Sequence, residues 1–132
     1  MRVQQLPWAL LAGGLALAGC SGGNVIGPAN QLQVTNATDN FQLQATALDN
    51  VSQTLTYVWQ NTGTSANVNQ SGSVTTGSAT LTIFDQGGTQ VYVASLANSG
   101  TFQTAAGLTG AWTIRLEMHG MGGVVNFRVQ KP

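Results

Sequence analysis

Charge is scarce in this sequence: four Lys or Arg, four Asp or Glu and one His among 132 residues. The basic residues Arg2, Arg115, Arg128 and Lys131 are scattered. A nucleic-acid partner is excluded on that ground, because displacing counterions from phosphates takes clustered Lys and Arg. Cysteine occurs once, at Cys20, which excludes a disulfide framework and a zinc or iron–sulfur site built on thiolates. What fills the chain instead is neutral: 13 Gln, 10 Asn, 16 Thr, 8 Ser and 17 Gly make up nearly half of it.

The same scarcity weighs against catalysis. A serine hydrolase needs a base beside its hydroxyl, yet His119 is the single histidine and no Gly-x-Ser-x-Gly elbow occurs. A glycosidase needs two carboxyl groups across a cleft. Here Asp39, Asp49 and Asp85 lie in turn-like sequences that suit backbone capping, and Glu117 sits on an outward strand position beside Arg115. Gly120-Met121-Gly122-Gly123 lacks the spacing and the lysine of a phosphate-cradling loop. No enzyme activity and no cofactor are expected.

The first segment is the most informative. Arg2 precedes an apolar run from Trp8 to Leu17, which closes on Leu17-Ala18-Gly19-Cys20. A positive n-region, an apolar stretch of roughly 7–15 residues and a small-residue end are the parts of a secretory signal. The run is too short to span a bilayer, which takes about 20 apolar residues. Leu17-Ala18-Gly19-Cys20 resembles the lipobox of bacterial lipoprotein signal peptides, and Cys20 is the candidate lipidation site. That resemblance implies that residues 1–19 are removed and that Cys20 becomes an acylated N-terminus carrying chains such as palmitate. It further implies a cell-envelope address with the membrane as partner. Ser21 after the cysteine, where Asp would mark inner-membrane retention, favours the outer membrane.

Residues 20–30 then read as a lipidated, flexible tether, since Ser-Gly-Gly-Asn-Val-Ile-Gly-Pro-Ala-Asn carries three glycines and a proline. From residue 31 to 132, period-2 alternation recurs between short Gly, Asn and Ser clusters. Leu32 and Val34 start a first strand, and Phe41, Leu43 and Ala45 alternate with glutamines before a turn at Asp49-Asn50. Leu55, Tyr57 and Trp59 share one face, and the polar stretch from Thr64 to Thr76 has room for edge strands. Leu81 and Ile83 lead through Asp85-Gln86-Gly87-Gly88 to Val91 and Val93, a hairpin whose Asp and Gly supply positive φ angles. Trp112, Ile114, Leu116 and Met118 alternate, Gly120 to Gly123 turns the chain, and Val125, Phe127 and Val129 face inward. Seven to nine short strands at such spacing predict an all-β, antiparallel, jelly-roll-like β-sandwich.

Residues 80–130 carry a second resemblance. An aspartate-glycine turn, then Gly107-Leu-Thr-Gly-Ala-Trp-Thr-Ile, then a strand led by Gly123 is similar to the accessory sandwiches of secreted bacterial proteins, such as pre-peptidase C-terminal domains. It implies a non-catalytic envelope module, structural or protein-binding, and assigns no site residues. Two alternatives rest on the residues themselves. Met118, His119 and Met121 offer thioether and imidazole ligands suited to copper, although core packing fully explains Met118, which continues the series Trp112, Ile114 and Leu116. Trp59, Trp112, Tyr57 and Tyr92 raise glycan binding by ring stacking, with Tyr92, between Val91 and Val93, the freest of the four.

Overall fold

The computed structural model describes residues 23–132, which form an all-β antiparallel sandwich. After a single 3-10 turn at Pro28–Asn30 come β1 (Gln33–Ala37), β2 (Asn40–Asn61), β3 (Asn67–Gln70), β4 (Ser73–Phe84), β5 (Gln90–Ser95), β6 (Gly100–Gln103) and β7 (Gly110–Gln130). The strands are not uniformly short: β2 has 22 residues and β7 has 21, and the two are paired over nearly their whole lengths. On its other side β7 pairs with β3 and then β4.

A straight strand of β2's length would run about 70 Å, at ~3.3 Å per residue. Yet Asp39, just before β2, donates its amide to Gln60 near its end (2.9 Å). The strand therefore folds back over itself, and β7 and β4 turn the same corner. Residues 40–45 of β2 and 124–130 of β7, with β1, β3 and β6, form one layer in the order β1-β2-β7-β3-β6. Residues 53–61 of β2 and 110–118 of β7, with the later half of β4 and β5, form the second.

The corner is written in the backbone angles. Ala47 (φ 52°) and Asn50 (φ 50°) in β2, Gly77 (φ 67°) in β4, and Gly120 (φ 57°) and Gly123 (φ 121°) in β7 all adopt positive φ. Pairing slips at the same places, between Ala45 and Gln53 in β2 and between Val74 and Ser78 in β4. Such bulges bend a strand without ending it. Two glycines are also required by space: a Cβ on Gly77 would collide with the carbonyl oxygens of His119 and Gly120, and one on Gly123 with the Ser73 carbonyl.

This corrects two expected turns. Asp49-Asn50 and Gly120 to Gly123 are corners inside continuous strands, because the neighbouring strands bend with them and keep the pairing. The stretch from Thr64 to Thr76 supplies β3, which is interior, paired between β7 and β6. Residues 24–30 also do not hang free: Asn24 exchanges backbone hydrogen bonds with Asn50 and Ser52, and the Asn30 side-chain amide donates to the Thr46 and Ala47 carbonyls.

The core lies between the layers. Phe41, Leu43, Val125, Phe127 and Val129 from one face Trp59, Trp112, Ile114, Leu116, Leu81 and Ile83 from the other, and all are buried. Phe41 meets Tyr57 across the layers at 5.3 Å between ring centroids, and Trp59 and Trp112 pack edge to face at 6.0 Å. Both indole N–H groups are satisfied, Trp59 donating to the Ala37 carbonyl and Trp112 to that of Leu108. Gln70, 1% exposed, crosses between layers: its amide donates to the Ser95 and Asn98 carbonyls and its oxygen accepts from the Tyr92 hydroxyl.

Two outcomes follow for stability. Trp112→Ala is expected to cost about 3–5 kcal/mol, as large-to-small core changes do, read as a shift in denaturant midpoint. Gly77→Ala is expected to cost more than about 1 kcal/mol from its positive φ alone, with the carbonyl collision added. Ala47→Gly at the same corner is expected to be neutral or stabilising in the same denaturation experiment.

Candidate functional site

Cys20 and the signal segment lie outside the described residues. From Asn24 on, the N-terminal strip is bound to the domain. Asn24 forms a parallel bridge with Val51, its side-chain amide donates to the Asp49 carbonyl, and the Ile26 amide donates to the Gln53 side chain. Residues 24–30 thus lie along the corner of β2, and between the two runs an open groove of about 440 Å³ lined by Val25, Pro28, Asn30, Ala47 and Asp49, among others. Among the described residues, the ionisable groups at this end are Asp49 and His119.

The methionine–histidine cluster is separated by the fold. Met118 and Met121 are buried in the core, whereas His119 is exposed on the opposite face, where its backbone pairs with Ser78. Strand alternation divides Met118 from His119, and the corner at Gly120 returns Met121 to the interior. Among the described residues, no group of three or more His, Cys, Asp or Glu could hold a metal ion.

The aromatic residues are also committed. Trp59 and Trp112 are 0% exposed, so neither presents a ring face to a sugar. Tyr92 is half-buried against the core, with its hydroxyl held by Gln70 at 2.7 Å. A register shift between Ile83 and Phe84 sets Tyr92 beside Ile83 on the inner side, and Val93, paired with Thr82, points out and is 53% exposed. Burial raises the Tyr92 phenol pKa above its ordinary value.

Two of the four carboxylates serve the backbone. Asp85 accepts from the Leu108 and Thr89 amides, both at 2.9 Å, and these bonds hold its carboxyl below the usual range. Asp39 accepts from the Thr62 amide and hydroxyl, both at 2.7 Å, and lies 3.7 Å from the Lys131 ammonium, which lowers its pKa likewise. Both close loops at the end opposite the corner. Glu117 pairs with Arg115 at 3.5 Å on the outer face of the second layer, where the Arg115 guanidinium also covers the Phe84 ring.

The surface that residue types alone did not locate is the outer face of the first layer. Register brings Asn40, Gln130, Asn67 and Gln103 into one cross-strand row, and Thr35, Gln42, Arg128, Asn69 and Thr101 into the next. Gln33, Gln44 and Asn126 make a third. Along these three rows Arg128 is the single charge and carboxylates are absent. Some amides are tied within the face, as Asn69 is to Thr101 at 3.0 Å and Arg128 is to Gln42 at 3.5 Å. The alternation of Gln42 and Gln44 with Phe41 and Leu43 was the visible signal; the pairing that assembles the rows was not. No family model matches the chain, and no curated protein matches it.

Acid titration tests the two capping carboxylates. A carboxyl whose folded pKa lies below its unfolded value adds stability above about pH 4, and that stability is lost as pH falls through the folded pKa. The protein is therefore expected to lose stability below about pH 4. Asp85→Ala should be less stable at pH 7 and show a shallower acid loss; an unchanged acid limb would separate Asp85 from that loss.

Proposed function

We propose that this chain is a membrane-anchored, non-catalytic lipoprotein of the bacterial cell envelope whose β-sandwich acts as a structural or protein-interaction module. The observation that carries the reading is Leu17-Ala18-Gly19-Cys20 at the end of an apolar run too short to span a bilayer. Acylation at Cys20 supplies stable attachment, since each buried methylene contributes about 0.8 kcal/mol and more than one chain is added. Ser21 favours the outer membrane over the inner.

The domain supports a binding role better than a chemical one. General acid–base catalysis needs a positioned donor or acceptor with a tuned pKa, and the shifted carboxylates, Asp39 and Asp85, are spent on loop amides. The likeness of residues 80–130 to accessory domains of secreted proteins points the same way. The amide rows of the first layer are the interaction face. Their neutral donors and acceptors also suit the hydroxyls of a glycan, the second reading, now without stacking on Trp59 or Trp112, which are internal.

Mass spectrometry of the protein from a native-host membrane fraction is expected to find Cys20 as an acylated N-terminus. An intact Met1 start, or an unmodified Cys20, would overturn the lipoprotein reading and the envelope address with it.

A further inference from the structure

Resting on that reading, we infer that the corner end of the sandwich is its membrane-facing end: the domain stands on the bilayer with its long strands along the membrane normal. The geometry that carries this is the short distance between the anchor and the first docked residue. Three residues separate Cys20 from Asn24, and Asn24 is fixed to the corner by hydrogen bonds to Asn50 (2.8 Å) and from Ser52 (2.9 Å). Four Cα steps span at most about 14 Å, at ~3.6 Å each. The halves of β2 and β7 extend about 30 Å beyond the corner, nine residues at ~3.3 Å. The loops closed by Asp39 and Asp85 are therefore carried away from the lipid.

The surface chemistry agrees with a lipid headgroup layer as the neighbour. The corner end carries Asp49 and His119 as its ionisable groups and shows an apolar side chain, Val25, 66% exposed next to the anchor. Few charges need to be desolvated there. Neither sheet face offers a cationic patch to pull the domain flat: the first layer presents Arg128 alone along its amide rows, and Arg115 in the second is paired with Glu117. Anionic lipid attracts clusters of Lys and Arg, each worth about 1 kcal/mol near the surface, and isolated side chains compete poorly with the tether. The upright pose leaves the amide face open along its whole height for a partner.

The test uses the full-length protein expressed in a bacterial host that processes lipoproteins, reconstituted in vesicles of phosphatidylethanolamine and phosphatidylglycerol containing a headgroup-quencher lipid. Single fluorescent labels are placed by Ser78→Cys at the corner and by Ala111→Cys at the far end, both exposed positions. Quenching at position 78 is expected to exceed that at 111 several-fold. Inserting about ten Gly and Ser residues after Ser21 is expected to erase the difference by lengthening the tether. Equal quenching, or stronger quenching at 111, in protein that floats with the vesicles would overturn the orientation and leave the lipoprotein reading intact. Protein that fails to float would overturn the lipoprotein reading, and the orientation with it.

Discussion

The structure depends on one constraint: three neighbouring strands must turn the same corner at the same height without losing their pairing. β2 does so at Ala47 and Asn50, β4 at Gly77, and β7 at Gly120 and Gly123, each through positive φ. If one strand stayed straight, its neighbours could not follow, and the two layers would not face each other across a shared core. Close approach makes the corner specific, since the backbone of β7 passes so near Gly77 that no side chain fits there. With the corner set, the far end is closed by single polar residues. Asp39 ties the start of β2 to its end and to Lys131, and Asp85 ties the β4–β5 turn to the loop before β7.

Function follows from what this architecture leaves outside. Trp59, Trp112, Met118 and Met121, side chains with affinity for sugars or soft metals, are consumed by the core. The outer face of the first layer is rich in Thr, Asn and Gln and its rows are nearly free of charge, whereas that of the second carries Arg115, Glu117, Val58 and Val93. In the proposed reading this amide surface is the face that meets a partner. Its placement then depends on the N-terminal strip, because residues 24–30 are docked along the corner and Cys20, the proposed anchor, precedes them by a few residues.

Much of the fold was legible because alternation reports which side chains are buried. Phe41, Leu43, Trp112, Ile114, Val125, Phe127 and Val129 all point inward as their spacing demands. The β4–β5 hairpin was legible because Asp85 and Gly88 are turn chemistry with one meaning. The corners were not, since a glycine that bends a strand and one that reverses it require the same φ freedom. Telling them apart takes knowledge of the neighbouring strand. Tyr92 was misplaced for a related reason: a register slip beside Phe84 changes which residue of β5 faces the core, and local sequence does not encode the slip. The strip at residues 24–30 has tether composition, but its asparagines find backbone partners some twenty residues away.

The most direct measurement is amide hydrogen exchange, residue by residue, on the protein carrying the proposed acyl chains at Cys20 in lipid nanodiscs and on the same domain without them. The Asn24 and Ser52 amides should be protected in both, because each is bonded across the strip and the corner. Amides near Asp49, Gly77 and Gly120 should gain further protection in nanodiscs, while those near Asp85 and Leu108 stay unchanged. Exchange of Asn24 at the rate of a free chain, or lipid-dependent protection confined to the Asp85 end, would contradict the account.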